Sequence, residues 1–130
     1  IIIGIESEPA YKRLDALLEV DGIDGIFVGP NDMTTSLGIP DQVTNPKYLD
    51  VISNIIEKSE SRNIPVMIHQ QTIETSIKAI ELGARFILHS SDSRFMQSAM
   101  QEQMSQLRSK VSTISGQDFA GTVSDTVETV

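Results

Sequence analysis

Two acidic residues, Glu6 and Asp32, each follow an apolar run that reads as a buried parallel strand. Ile1-Ile2-Ile3-Gly4-Ile5 leads into the first, and Ile26-Phe27-Val28 with the turn Gly29-Pro30-Asn31 leads into the second. Both carboxylates are therefore expected at one rim of one sheet, where α/β proteins build metal and substrate sites. Hard divalent cations take oxygen ligands, and Mg²⁺ is commonly held by one or two carboxylates with water filling the remaining positions. Spacing alone is satisfied equally by two solvated strand-end acids.

Gly29-Pro30-Asn31-Asp32 reads as a strand-to-loop turn, in which Gly permits close backbone approach and free N–H groups face an anion. His69 closes a third apolar run, and His89 stands near the end of a fourth. An imidazole at such a rim serves as acid, base or ligand, or is simply a polar rim residue. Arg13, Arg62, Arg85, Arg94 and Arg108 fall on expected helices or near element ends, where solvated surface charge accounts for them.

Strand and helix patterns alternate in four units, as in a parallel sheet with crossover helices. The first pairs the strand Ile1 to Ile5 with a helix that has Pro9 in its first turn and Leu14, Leu17 and Leu18 as its apolar stripe. In the second, Gly25 to Val28 is strand, and a long loop leads to Asn45 as cap of a helix from Pro46 that carries Tyr48, Val51, Ile52, Ile55 and Ile56 on one face. The third takes Pro65 to Ile68 as strand and Thr72 to Leu82 as helix, stopped by Gly83. The fourth takes Phe86 to Leu88 as strand and a helix from about Ser93 to Ile114, with Phe95, Ala99, Met100, Met104, Leu107 and Val111 spaced for burial against a partner or, over the first turns, against its own sheet. Residues 116–130 are rich in Ser, Thr and Gly and read as a polar tail beyond one domain over 1–115.

The net charge of -8, with no Lys/Arg run to neutralise phosphates, argues against nucleic acid or an anionic membrane as partner. Cys is absent, which excludes disulfides, thiolate catalysis and Cys-based zinc sites and fits a cytoplasmic protein. No apolar stretch approaches the roughly 20 residues that span a bilayer.

Ile5-Glu6-Ser7, the stretch from Val20 through Val28-Gly29-Pro30-Asn31-Asp32, and Ser36-Leu37-Gly38 closely resemble the HpcH/HpaI aldolase family of metal-dependent pyruvate aldolases, over Ile1 to about Ala99. The resemblance implies a (β/α)8 barrel, which typically needs about 250 residues. This chain of 130 would be its C-terminal half, and its start at Ile1 inside an apolar run is read as a cut within a longer protein. It further implies cleavage of 4-hydroxy-2-oxo acids to pyruvate and an aldehyde, with Glu6 and Asp32 on a divalent metal, Mg or Mn with Co as a further fit. Backbone amides around Asn31 and Asp32 would hold the pyruvate carboxylate, so Gly29, Pro30, Asn31 and Asp32 line the substrate, with His69 beside them.

The family's catalytic His and its enolate-stabilising Arg lie in its N-terminal half, so neither role falls on this chain. Where the family commonly has Gln two residues before the metal-binding Glu, this chain has Gly4, and where it has an apolar residue this chain has His69. Asp92 matches a common Asp at the start of the last helix and reads as its cap. Family members exchange that helix between subunits, which implies a homo-oligomer. A non-catalytic half-barrel acting as an assembly or binding module is the rival expectation.

Overall fold

The structure, a computed structural model, describes residues 1–116. Four strands, β1 (Ile2–Gly4), β2 (Gly25–Val28), β3 (Val66–Gln70) and β4 (Phe86–His89), form one parallel sheet in sequence order. Helices α1 (Glu8–Lys12) and α2 (Leu14–Leu18) follow β1. Helices α3 (Pro30–Ser36) and α4 (Pro46–Glu60) follow β2, α5 (Ile73–Glu81) follows β3, and α6 (Asp92–Ser115) follows β4.

Side chains alternate across a strand, so the register divides the sheet into two faces. Ile3, Ile26 and Val66 share one row, and Val28, Ile68 and Ile87 share another. This face is the core side, where Ile5, Ile26, Val28, Val66 and Ile68 are buried with the apolar stripe of α4. Gly4, Phe27, Met67 and Phe86 form a continuous row on the opposite face, with His69 and Leu88 paired two residues further along their strands. That second face is only partly covered, and Phe86 and Leu88 are about half exposed.

Helix α4 carries most of the helical share of the core. Asn45 caps it by accepting the N–H of Lys47 at 3.0 Å, and Pro46 takes the first position, where a missing N–H costs nothing. Tyr48, Val51, Ile52, Ile55 and Ile56 are buried on one face at helical spacing. Each such residue contributes roughly 1.5–3 kcal/mol when taken fully from water. Thr72 caps α5 through a reciprocal pair with Thr75, and Gly83, at φ 102, stands just beyond its end.

Three local expectations need correction. Residues after β1 form two short helices rather than one, because Arg13 turns back to the Ala10 carbonyl and leaves helical geometry. The connection after β2 contains α3, so Gly29-Pro30-Asn31-Asp32 is a strand-to-helix turn and not a strand-to-loop turn. The cap of the last helix is Ser91, which accepts the Arg94 N–H at 3.3 Å, while Asp92 sits inside the first turn and accepts from Ser93.

The chain divides into two compact units, Ile1–Ser90 and a second beginning at Ser91. The first is the sheet with α1 to α5; the second contains α6, whose described side chains are almost all exposed. Gly116, in the left-handed conformation at φ 66, closes α6, and the polar tail beyond it lies outside the described residues. Among the described residues no helix is long and apolar enough to cross a membrane.

Candidate functional site

Alternation along β1 puts Glu6 on the same face as Gly4, the partly covered one. Its carboxylate lies directly over Gly29. A Cβ placed on Gly29 would sit 2.5 Å from Glu6 Oε1 and 3.1 Å from Cδ, so any larger residue would force the Glu6 carboxylate to move from its present position. Gly29 is also the N-cap of α3, with extended backbone at φ -87 and ψ 109. Asp32 lies three residues on, exposed in the first turn of α3. Gly29 thus lies under Glu6 and heads the helix whose first turn contains Asp32.

Pro30 has no N–H, and the first intrahelical bond of α3 is Met33 N–H to the Gly29 carbonyl at 3.1 Å. The N–H groups of Asn31 and Asp32 fall in the stretch of a helix that lacks intrahelical acceptors. The spacing of Met33 and Leu37 four residues apart, both buried, directly after a Gly-Pro pair, is the signal that marks α3.

His69 is half-buried on the same face as Glu6, with Nε2 3.2 Å from the Ser90 carbonyl oxygen. Ser90 has a left-handed backbone at φ 59 and donates its N–H to the Gln70 carbonyl at 2.7 Å. Sequence reasoning had no access to this contact, because it depends on a backbone conformation that Ser seldom takes. His89 lies one residue beyond Leu88 and so faces the opposite side of the sheet, where its Nδ1 is 2.7 Å from Ser76 Oγ of α5. The two histidines are therefore separated by the sheet. Among the described residues no group of three or more His, Asp or Glu could hold a metal ion.

Gly4 also lies under Glu6, but less tightly. A Cβ there would meet Glu6 Cδ at 3.5 Å, an ordinary contact, so a side chain at this position would lie against the carboxylate without displacing it.

Known proteins share this arrangement of elements. The HpcH/HpaI aldolase/citrate lyase family profile matches residues 1–99. The 2-keto-3-deoxy-L-rhamnonate aldolase of Klebsiella pneumoniae subsp. pneumoniae is 32% identical over 109 residues, which cover 84% of this chain and 41% of that enzyme. Among solved structures, an HpcH/HpaI aldolase from Desulfitobacterium hafniense superposes with a TM-score of 0.76 at 24% identity, covering 83% of this chain and 42% of that one. A HpcH/HpaI aldolase/citrate lyase family protein from Burkholderia cenocepacia gives 0.77 at 22% identity, covering 82% and 42%. The structural neighbours are (β/α)8 barrels, and the four strand–helix units here correspond to about two-fifths of each. The chain likewise spans about two-fifths of the length of the curated relative it matches. Parallel topology, the Glu6 carboxylate over Gly29 and the match across residues 1–99 lead to one assignment: this chain belongs to the HpcH/HpaI aldolase/citrate lyase family.

Proposed function

We propose that the protein containing this chain cleaves 4-hydroxy-2-oxo acids to pyruvate and an aldehyde, with Glu6 and Asp32 holding a divalent metal, Mg²⁺ or Mn²⁺, with Co²⁺ also suited. The observation that carries this reading is the Glu6 carboxylate lying over Gly29, at the head of the helix whose first turn contains Asp32. The donor set fits such an ion, because both groups offer hard oxygens and Gly29, lacking a side chain, leaves room for the Glu6 carboxylate at the strand end. When bound, the ion would polarise the substrate's 2-oxo group as a Lewis acid. The curated relative, named for a 2-keto-3-deoxy acid, supports the 2-oxo acid class.

The chain's own residues have separate tasks. The N–H groups of Asn31 and Asp32 orient the substrate carboxylate, with Gly29 and Pro30 fixing the turn that presents them. Phe27 and Met67 form an apolar floor one row below Glu6 and His69, which limits water around the reacting carbons. The acid–base His and the Arg for the developing negative charge expected from the family are supplied by residues outside this chain. The 130-residue chain alone is therefore expected to bind metal weakly and to turn over negligibly.

Titration of the chain with Mn²⁺, followed by electron paramagnetic resonance, tests the metal assignment. Glu6→Gln and Asp32→Asn are each expected to weaken binding at least ~10-fold, and unchanged affinity in both overturns it. Pyruvate release from a 4-hydroxy-2-oxo acid tests the reaction. Release is expected only once the other half of the barrel is present, and robust release by this chain alone would show that the chemistry is misplaced.

The rival, a non-catalytic assembly module, is favoured by the half-exposed Phe86 and Leu88 on the open face of the sheet. A complete protein that associates but releases no pyruvate would select it. Assembly through α6 belongs to either reading, since Phe95, Met100, Met104 and Leu107 are exposed along it. Light scattering is expected to show an oligomer that substitutions on this stripe reduce to a monomer.

A further inference from the structure

Two Asp-Gly pairs, Asp21-Gly22 and Asp24-Gly25, stand three residues apart where α2 gives way to β2, and the fold treats them oppositely. An aspartate followed by glycine leaves its carboxyl open to the next backbone nitrogen, because no Cβ on the glycine shields that nitrogen. Whether the two atoms meet depends on how far the peptide between them can turn.

Asp21 and Gly22 are both exposed. Gly22 is left-handed at φ 85, a conformation that glycine takes without steric cost, so the turn itself calls for glycine after Asp21. A Cβ at position 22 would meet nothing within 4 Å. Among the described residues the Gly22 N–H has no acceptor, and the Asp21 carboxylate has no hydrogen-bond or ion-pair partner. Solvent therefore surrounds this peptide, and nothing opposes its rotation towards the Asp21 carboxyl.

Asp24 and Gly25 carry the same groups in a locked frame. Gly25 is buried as the first residue of β2, level with Ile2 of β1, and its Cβ position lies 3.5 Å from the Pro65 carbonyl oxygen. The Asp24 N–H is bonded to the Ile1 carbonyl at 2.8 Å. The peptide between them cannot rotate unless the sheet opens at this edge.

We propose that Asp21 is a site of spontaneous covalent modification, at which the chain isomerises from an aspartyl to an isoaspartyl linkage with water as the sole co-reactant. The Gly22 nitrogen attacks Cγ of the protonated Asp21 carboxyl, an N–Cγ bond forms, and the hydroxyl leaves as water with the proton of the nitrogen, closing a five-membered succinimide. Water then adds to one of the two ring carbonyls. Addition at Cγ breaks the new bond and restores aspartate. Addition at the main-chain carbonyl carbon breaks its bond to Gly22 nitrogen, so the chain now runs through Cβ and Cγ and the α-carboxylate is free. One water leaves and one enters, and nothing is oxidised or reduced. The product has one more carbon in the main chain of the turn that joins buried Leu18 to β2.

The test incubates the complete protein that contains this chain in H₂¹⁸O at neutral pH and body temperature. Each passage through the succinimide puts one ¹⁸O atom into the residue, and electron-transfer fragmentation, which breaks the Cα–Cβ bond of an isoaspartyl residue, assigns label and linkage to position 21 or 24. Isoaspartate is expected to form at Asp21 at least ~10-fold faster than at Asp24, which reacts only when β2 opens. In urea, where no frame distinguishes the two pairs, the rates are expected to converge. Asp21→Glu keeps the charge but would have to close a six-membered ring. It is expected to abolish labelling at position 21 and to leave Asp24 and the melting temperature unchanged. Equal rates at the two positions in the folded protein, or no label at Asp21 over a period in which the urea sample reacts, overturns the proposal. A preference for Asp21 that persists undiminished in urea also overturns it, since the difference would then belong to the local sequence and not to the fold.

Discussion

The carboxylate of Glu6 occupies the space that a side chain on Gly29 would need, with Oε1 2.5 Å from the Cβ position. Gly29 has extended backbone, φ -87, which any residue adopts, so what a side chain there would disturb is its neighbour Glu6 and not its own conformation. Gly29→Ala is therefore expected to push Glu6 aside and to weaken Mn²⁺ binding by roughly 10–100-fold, the usual consequence of disturbing a ligand's support. Gly4→Ala is the control. Its Cβ would stand 3.5 Å from Glu6 Cδ, and its affinity is expected to match the parent in calorimetric titration. Similar losses in both variants would contradict the cradle.

Thr34 ties α3 to the loop that follows it. Its hydroxyl is fully buried, donates to the Asn31 carbonyl at 3.0 Å and accepts the Asp41 N–H at 3.1 Å. Asp41 is itself left-handed at φ 60, so this hydrogen bond helps hold a disfavoured backbone. Thr34→Val preserves shape and removes both bonds. It is expected to cost about 1–3 kcal/mol in urea unfolding, and a loss under ~0.5 kcal/mol would show that the loop holds without it.

Tyr48 should respond in the opposite direction. Only 1% of it is exposed, and its hydroxyl oxygen has no hydrogen-bond partner of good geometry. Burial pushes the hydroxyl well above the usual phenol range, with Gln70 pulling it slightly back. Tyr48→Phe keeps the ring in the core and deletes the unpartnered group, so stability is expected to be unchanged or to rise by up to about 1 kcal/mol. A marked fall in melting temperature would mean that a bound water satisfies the hydroxyl.

The elements with long apolar stripes were legible in the sequence because periodicity and caps agreed. Asn45-Pro46 with Tyr48 to Ile56 gives α4, and Thr72 to Gly83 gives α5 within a residue or two. Helix α3 was not legible as such, since seven residues offer too short a period and Gly-Pro ordinarily marks a turn. The break at Arg13 escaped for a related reason, as neither five-residue helix is long enough to declare its own phase. In the site, the residue types at 6, 29, 32 and 69 were visible. That Glu6 bends over Gly29, and that Ser90 points its carbonyl at His69, depend on strand register and on one left-handed residue, which no local pattern encodes.

Arg85, just before β4, donates through Nε and one terminal nitrogen to Glu60 at the end of α4, Nε to Oε1 at 2.7 Å and Nη2 to Oε2. The hydrogen bond and charge of Arg85 hold the Glu60 carboxyl below the usual carboxylate range, and Glu60 in turn raises Arg85. In the unfolded chain Glu60 returns to an ordinary value near ~4.3. A carboxyl depressed by folding stabilises the native state above its unfolded pKa and loses that contribution as pH falls through the folded one. Arg85→Gln removes the cause of the depression. The melting-temperature difference between wild type and Arg85→Gln is therefore expected to be constant from pH 7 to about pH 5 and to shrink as acid protonates Glu60. Because both groups are substantially exposed, the difference should be small and should fall further in high salt. A gap that persists undiminished at pH 2 would mean that Arg85 acts by packing its stem against α4, not by its charge.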